Sequence, residues 1–116
     1  TYYAAKAYFK DPFNEVEGVD AIKKIFVHMF ATTENPHFVF EDLMEDDGQA
    51  FLTWYFHFLL KGRQYTVKGS THLRFNKDGL ITYHRDYWDA AEELWQKLPI
   101  IGGLTKWLRS QFSVKN

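Results

Sequence analysis

The chain has 116 residues, the length of a single domain built around one hydrophobic core. Fourteen Lys and Arg against fifteen Asp and Glu leave a net charge of -1, a balance that offers nucleic acid or an anionic membrane no overall attraction. The absence of cysteine excludes disulfides, thiol nucleophiles and thiolate metal sites and points to a reducing compartment, whereas a 19% aromatic share exceeds what packing a small core requires.

The first residues, Thr1 to Ala5, carry no helix cap, and helices upstream of Thr1 are expected to form one wall of the domain. Asp11 precedes Pro12, a pair that commonly starts a turn; its carboxylate is equally available to a site. From Gly18 to about Thr33 the apolar residues Ile22, Ile25, Phe26, Met29 and Phe30 follow the spacing of a helix with one buried face. Asn35-Pro36 ends that helix, because a residue before proline is driven out of helical geometry.

Four strands are predicted next, at His37 to Glu45, Ala50 to Leu60, Gln64 to Phe75 and Leu80 to Trp88. Each is rich in β-branched and aromatic residues, and they are separated by Asp47-Gly48, Lys61-Gly62 and Asn76-Lys77-Asp78-Gly79. Consecutive hairpins of this kind make an antiparallel meander. At ~9 to 12 residues the strands exceed the usual length, and long twisted strands curl around something. Gly69, in mid-strand, predicts a bulge or bend. Asp89-Ala90-Ala91-Glu92 has capping-box spacing and opens a helix with Ala91, Leu94, Trp95 and Leu98 inward. After Pro99 and Gly102-Gly103, a second amphipathic segment sets Leu104, Trp107, Leu108 and Phe112 opposite Lys106 and Arg109. It reads either as a lid on the domain's own core or as a membrane-surface or partner-binding element. No apolar run is long enough for a membrane span and nothing resembles a signal peptide, so a cytoplasmic protein is expected.

Alternation sorts the strand faces. Leu52, Trp54, Phe56 and Phe58 form an apolar set assigned to the concave interior, leaving Phe51, Thr53, Tyr55, His57 and Leu59 outside. Val67, Gly69, Thr71 and Leu73 are likewise assigned inward, opposite Thr66, Lys68, Ser70, His72 and Arg74. In the last strand neither His84, Asp86, Trp88 nor Tyr83, Arg85, Tyr87 is apolar. If His84 and Asp86 point inward, their desolvation must be offset by partners or a ligand, and their acidities shift toward values suited to proton transfer. If they point outward they form a solvated pair or a subunit contact. His57 and His72 read as surface or interface residues. Five histidines without paired helical spacing give no metal site, and no cofactor is expected.

Phe9-Lys10-Asp11-Pro12-Phe13 with Gly18-Val19-Asp20-Ala21-Ile22, and Arg74-Phe75-Asn76-Lys77-Asp78-Gly79-Leu80-Ile81 leading into His84-Arg85-Asp86-Tyr87-Trp88-Asp89, form a combined pattern. It resembles the nuclear transport factor 2-like superfamily, which includes ketosteroid isomerases, SnoaL-like polyketide cyclases and limonene epoxide hydrolase. The resemblance spans roughly residues 3 to 96 and implies an α+β fold for a single domain over residues 1–116. Its features would be a cone-shaped curved antiparallel β-sheet packed with helices, C-terminal helices, a deep apolar cavity, and a homodimer formed through the sheet.

By that resemblance Asp11 falls on the general base of the isomerases, Thr71 on the position of their protonated acid, and Trp88 on a pocket tryptophan. Their third partner is a tyrosine on an N-terminal helix, which would lie upstream of Thr1. Asp86 matches one of two water-activating aspartates of the epoxide hydrolase, whose remaining groups fall near Thr53 and Tyr55 and cannot do that work. SnoaL-like cyclases need few groups, and Asp86 with His84 suffices for theirs.

The expectation is therefore an acid/base isomerase or cyclase acting on a hydrophobic carbonyl compound. Asp11 takes a proton, Asp86 or His84 returns or relays it, and Trp54, Phe56, Phe58, Val67, Thr71 and Trp88 hold the substrate. The alternative is a non-catalytic small-molecule binding or dimeric accessory module using the same cavity.

Overall fold

The computed structural model describes residues 2–89. The two helical segments expected beyond Asp89 lie outside the described residues. The elements run β1 (Tyr3–Lys10), β2 (Glu15–Glu17), α1 (Val19–Thr32), β3 (Glu34–Asp46), β4 (Gln49–Leu60), β5 (Arg63–Phe75) and β6 (Ile81–Tyr87). All six strands join one sheet in the order β2-β1-β6-β5-β4-β3. Among the described residues no helix is long and apolar enough to cross a membrane.

The four predicted strands are present as an antiparallel meander, and the helix ends one residue short of its predicted limit. Asp47-Gly48 and Lys61-Gly62 each hold both central residues at positive φ, 44° with 77° and 50° with 79°. That is the mirror-image turn whose twist matches the flanking strands, which explains why the two hairpins were readable as dipeptides.

Two features correct the sequence reading. The segment before Asp11 is a strand, and β1 runs parallel to β6, so the sheet is mixed rather than wholly antiparallel. Ala7 and Phe9 are buried in β1 while Lys6 is exposed, a period of two that a short strand rich in alanine displays poorly. The other correction is at Pro36, which lies inside β3 rather than before it. β3 is the sheet's edge, where proline's missing N–H is tolerated, and Asn35 at φ 50° with a register shift before His37 absorbs the irregularity. Exposed Glu41, Asp42, Glu45 and Asp46 charge that edge and discourage pairing with another sheet.

Where one core was expected, the buried residues form two clusters. Ile22 and Ile25 of α1 pack with Ala7, Phe9 and Val16 at the β1–β2 end. Trp54, Phe56, Phe58 and Val67 of β4 and β5 form the other, with Phe13, Met29, Phe38 and Trp88 against it. Each fully buried side chain of this size contributes about 1.5–3 kcal/mol. The seam between the clusters is where the interior stays open.

Candidate functional site

Alternation along β6 turns Tyr83 and Arg85 to the sheet's outer face, where Tyr83 stacks on Tyr8 and Arg85 lies over Tyr87. His84 and Asp86 therefore face the interior. The His84 ring packs against Phe9 at 4.8 Å between centroids, and the side chains of His84 and Asp86 are 12% and 16% exposed. The two orientations left open by the sequence resolve in favour of the inward one.

An unbroken run of hydrogen bonds passes through this pair. The indole Nε1 of Trp54 donates to Thr71 Oγ1 at 2.7 Å, and the Thr71 hydroxyl donates to Asp86 Oδ1 at 2.6 Å. His84 Nε2 lies 2.7 Å from the same Oδ1, and Tyr3 OH lies 2.8 Å from His84 Nδ1. Trp54 and Thr71 are each 4% exposed, so this end of the run is rigid and dry. Burial, reinforced by the charge of Asp86, pushes the Tyr3 phenol well above its ordinary value.

Asp11 follows β1 directly, in the turn that leads to β2. Its Oδ1 accepts from the Phe13 amide at 2.8 Å, the Asn14 amide at 2.6 Å and Asn14 Nδ2 at 3.2 Å. The turn reading and the site reading of Asp11 hold together, because the turn that caps its carboxylate also holds it at the cavity wall. Burial pushes its pKa up to about 6 against the opposing pull of those three donors, and the negative charge of Asp86 adds to the rise.

The enclosed part of the interior is a cavity of about 50 Å³, lined by Asp11, Asp86, Trp54, Phe56, Phe58, Val67 and Trp88, with Phe9, Phe13 and Phe38 among the other walls. A single water needs roughly 10–15 Å³, so the space holds a few waters. A wider pocket of about 250 Å³ adjoins it, sharing Phe26, Phe38, Trp54 and Asp86 and adding Tyr3, Thr71 and His84. An outer cleft of about 490 Å³ between the Asp11 turn and the end of β6 shares Asp11, Asp86 and Trp88. Asp86 borders all three spaces.

Five of the six predicted substrate-binding residues thus line the enclosed cavity, and Thr71 faces the adjoining pocket. Among the described residues no group of three metal-ligating side chains comes together. Sequence reasoning missed Tyr3 and Asn14. Tyr3 was hidden because its strand went unread; Asn14 could have been found from the Asp-Pro-Phe-Asn spacing, in which the fourth residue folds back on the first.

The sequence profile of the SnoaL-like domain matches residues 1–84. No curated protein matches the chain. A hypothetical protein with a ketosteroid isomerase-like fold from Catenulispora acidiphila, crystallised with trimethylamine, superposes with a TM-score of 0.73 at 21% identity, over 80% of this chain and 74% of that one. Rv0760c from Mycobacterium tuberculosis, in complex with estradiol-17beta-hemisuccinate, superposes at 0.66 with 22% identity, over 76% of each chain. A protein from Jannaschia sp. CCS1 named as a SnoaL-like polyketide cyclase superposes at 0.69 with 13% identity, over 78% of this chain and 69% of that one. These likenesses establish a shared fold.

Proposed function

The chain belongs to the SnoaL-like domain family, and we propose that it is an acid/base isomerase or cyclase acting on a hydrophobic compound that carries a carbonyl group. The observation that carries this reading is the meeting of two carboxylates, Asp11 and Asp86, at one aromatic cavity. Carboxyl groups held in contrasting surroundings divide into acid and base roles. Asp11, pushed up to about 6, is a base matched to neutral pH, and takes a proton from a carbon beside the carbonyl. Asp86 and His84 form the arm that returns it. Trp54, Phe56, Phe58, Val67, Thr71 and Trp88 hold the body of the substrate, and the dry aromatic wall strengthens every polar contact made to it.

The small molecules held by the Catenulispora and Mycobacterium proteins support a ligand-binding use of the same fold. A compound larger than the enclosed 50 Å³ would extend into the adjoining pocket beside Tyr3 and Thr71. The narrowness of that enclosed space favours a second reading, a non-catalytic binding or dimeric accessory module. In either case we assign a homodimer through the outer sheet face and a cytoplasmic setting, the latter on the cysteine-free composition.

The deciding experiment screens cyclic and acyl ketones for proton transfer by the purified protein, alongside Asp11→Asn. An enzyme loses nearly all turnover in that variant while ligand affinity, read from tryptophan fluorescence, persists. A wild-type protein that binds ketones without turning any over is the binding module instead.

A further inference from the structure

The enclosed cavity has a charge pattern that its acid/base use leaves unexplained. Two carboxylates border it together with eight aromatic side chains, and no Lys, Arg or His stands among its walls. Asp11 is held by dipoles alone: its donors are two backbone amides and the Asn14 side chain, and it has no cationic partner among the described residues. Its second oxygen, Oδ2, accepts one long bond from Asn14 Nδ2 at 3.3 Å. Asp86 uses Oδ1 for both Thr71 and His84, while its Oδ2 accepts no hydrogen bond among the described residues. Burial holds the Asp11 pKa at about 6 and the charge of Asp86 adds to the rise, as happens to a carboxyl where negative charge lacks a counter-ion.

The walls suit one kind of positive group. A hard metal ion or a primary ammonium needs several oxygen or nitrogen partners, and an aromatic box supplies none beyond its two carboxylates. A quaternary ammonium has the opposite need: its methyl groups pack against apolar surface, and its spread charge is drawn to the negative faces of aromatic rings. The rings here are set in several directions. Phe13 crosses Trp88 at 79° and Phe38 crosses Trp54 at 86°, with centroids 5.5 and 5.4 Å apart, so they enclose a space rather than stack along one side of it. The size agrees as well. A nitrogen with three methyl groups has four heavy atoms, which at the measure of one water each take roughly 40–60 Å³; the cavity has about 50 Å³.

We propose that the enclosed cavity is a binding site for a small quaternary ammonium ion, caged by the rings of Phe13, Phe38, Trp54 and Trp88 and neutralised by Asp11 and Asp86. The rest of such a ligand leaves through the wider pocket or the outer cleft, both of which meet the cavity at Asp86. The inference goes beyond the acid/base reading and does not rest on it, since the carboxylates act here as fixed charges and no proton moves. While the ion is in place Asp11 has no room for a ketone, so the two ligands exclude each other.

The test is isothermal titration calorimetry of the full chain with choline and with 3,3-dimethylbutan-1-ol, which has the same shape with carbon in place of the charged nitrogen. The expected result is choline bound roughly tenfold or more tighter than the neutral alcohol. Asp11→Asn removes the charge and keeps the acceptor of the turn, so it should erase most of that preference while leaving the affinity for the alcohol as it was. Trp88→Leu removes a ring of the cage and should weaken choline severalfold more than the alcohol. Equal affinity for the two compounds would reduce the cavity to an apolar hole and overturn the proposal, as would binding of neither up to tens of millimolar. A preference that survives either substitution would put the ion outside this cage and overturn it too. Ketone turnover is a separate measurement, and none of these outcomes decides it.

Discussion

The indole of Trp54 lies across Gly69, its partner on the neighbouring strand: a Cβ built at position 69 would stand 2.6 Å from Cζ2 of the ring. Gly69 is therefore a seat for the indole, and the seat aims Nε1 at Thr71. Gly69→Ala must displace a ring that is 4% exposed in the sheet's core. The expected loss is about 1–3 kcal/mol, read as a fall in the midpoint of denaturant unfolding. The same change in a Trp54→Phe background should cost less, because the ring that clashes is smaller.

Thr71→Val preserves shape and removes the hydroxyl that joins Trp54 to Asp86. It leaves a buried indole N–H without an acceptor, at a cost of about 1–3 kcal/mol. Urea unfolding measures it, and a near-zero change would mean that water replaces the hydroxyl.

The Asp11 carboxyl makes stability depend on pH in the sense opposite to most acidic residues. Its pKa rises from 3.8 to about 6 on folding, so between those values the folded state holds a proton that the unfolded chain has released. Stability contributed by this group is intact below the lower value and is lost as pH rises toward the upper one. The loss is no more than about 3 kcal/mol. Asp11→Asn keeps the acceptor of the turn and removes the ionisation, so it should be more stable than wild type at pH 8 and lose that advantage near pH 4. Denaturation curves across that range check the sign.

On the outer sheet face Val39, Met44 and Phe51 are 47%, 65% and 44% exposed, and the Phe51 ring stacks on His72 at 4.2 Å. Covering such a face in a homodimer removes it from water. The proposed homodimer is expected to sediment as a monomer in Phe51→Glu without unfolding, and a wild-type protein that sediments as a monomer at tens of micromolar would refute the pairing.

The parts of this structure that were readable in advance are those in which a local chemical rule acts alone. Asp-Gly and Lys-Gly turns announce their hairpins, and the wholly apolar set Trp54, Phe56 and Phe58 could only face inward. His84 and Asp86 were not decidable, because both faces of their strand are polar. What settles them is the neighbour: Tyr8 claims Tyr83 on the outside, and the imidazole fills the space against Phe9. Tyr3 was out of reach for a related reason. A register shift between Tyr3 and Tyr8 breaks the period of two, so no alternation rule carries from the buried Ala7 and Phe9 back to the residue that bonds His84.

The parallel pairing of β1 with β6 also governs how the protein acquires its site. Tyr3 and His84 are 81 positions apart in sequence, whereas the hairpins of β3, β4 and β5 close over a few residues. Contacts of such long separation carry the largest loop-closure entropy and form late. The meander can be complete, with His84 already beside Asp86, while Tyr3 has not yet joined them, so this hydrogen-bonded run is finished only when β1 closes on β6. A chain interrupted before Ile81 lacks His84, Asp86 and Trp88 together.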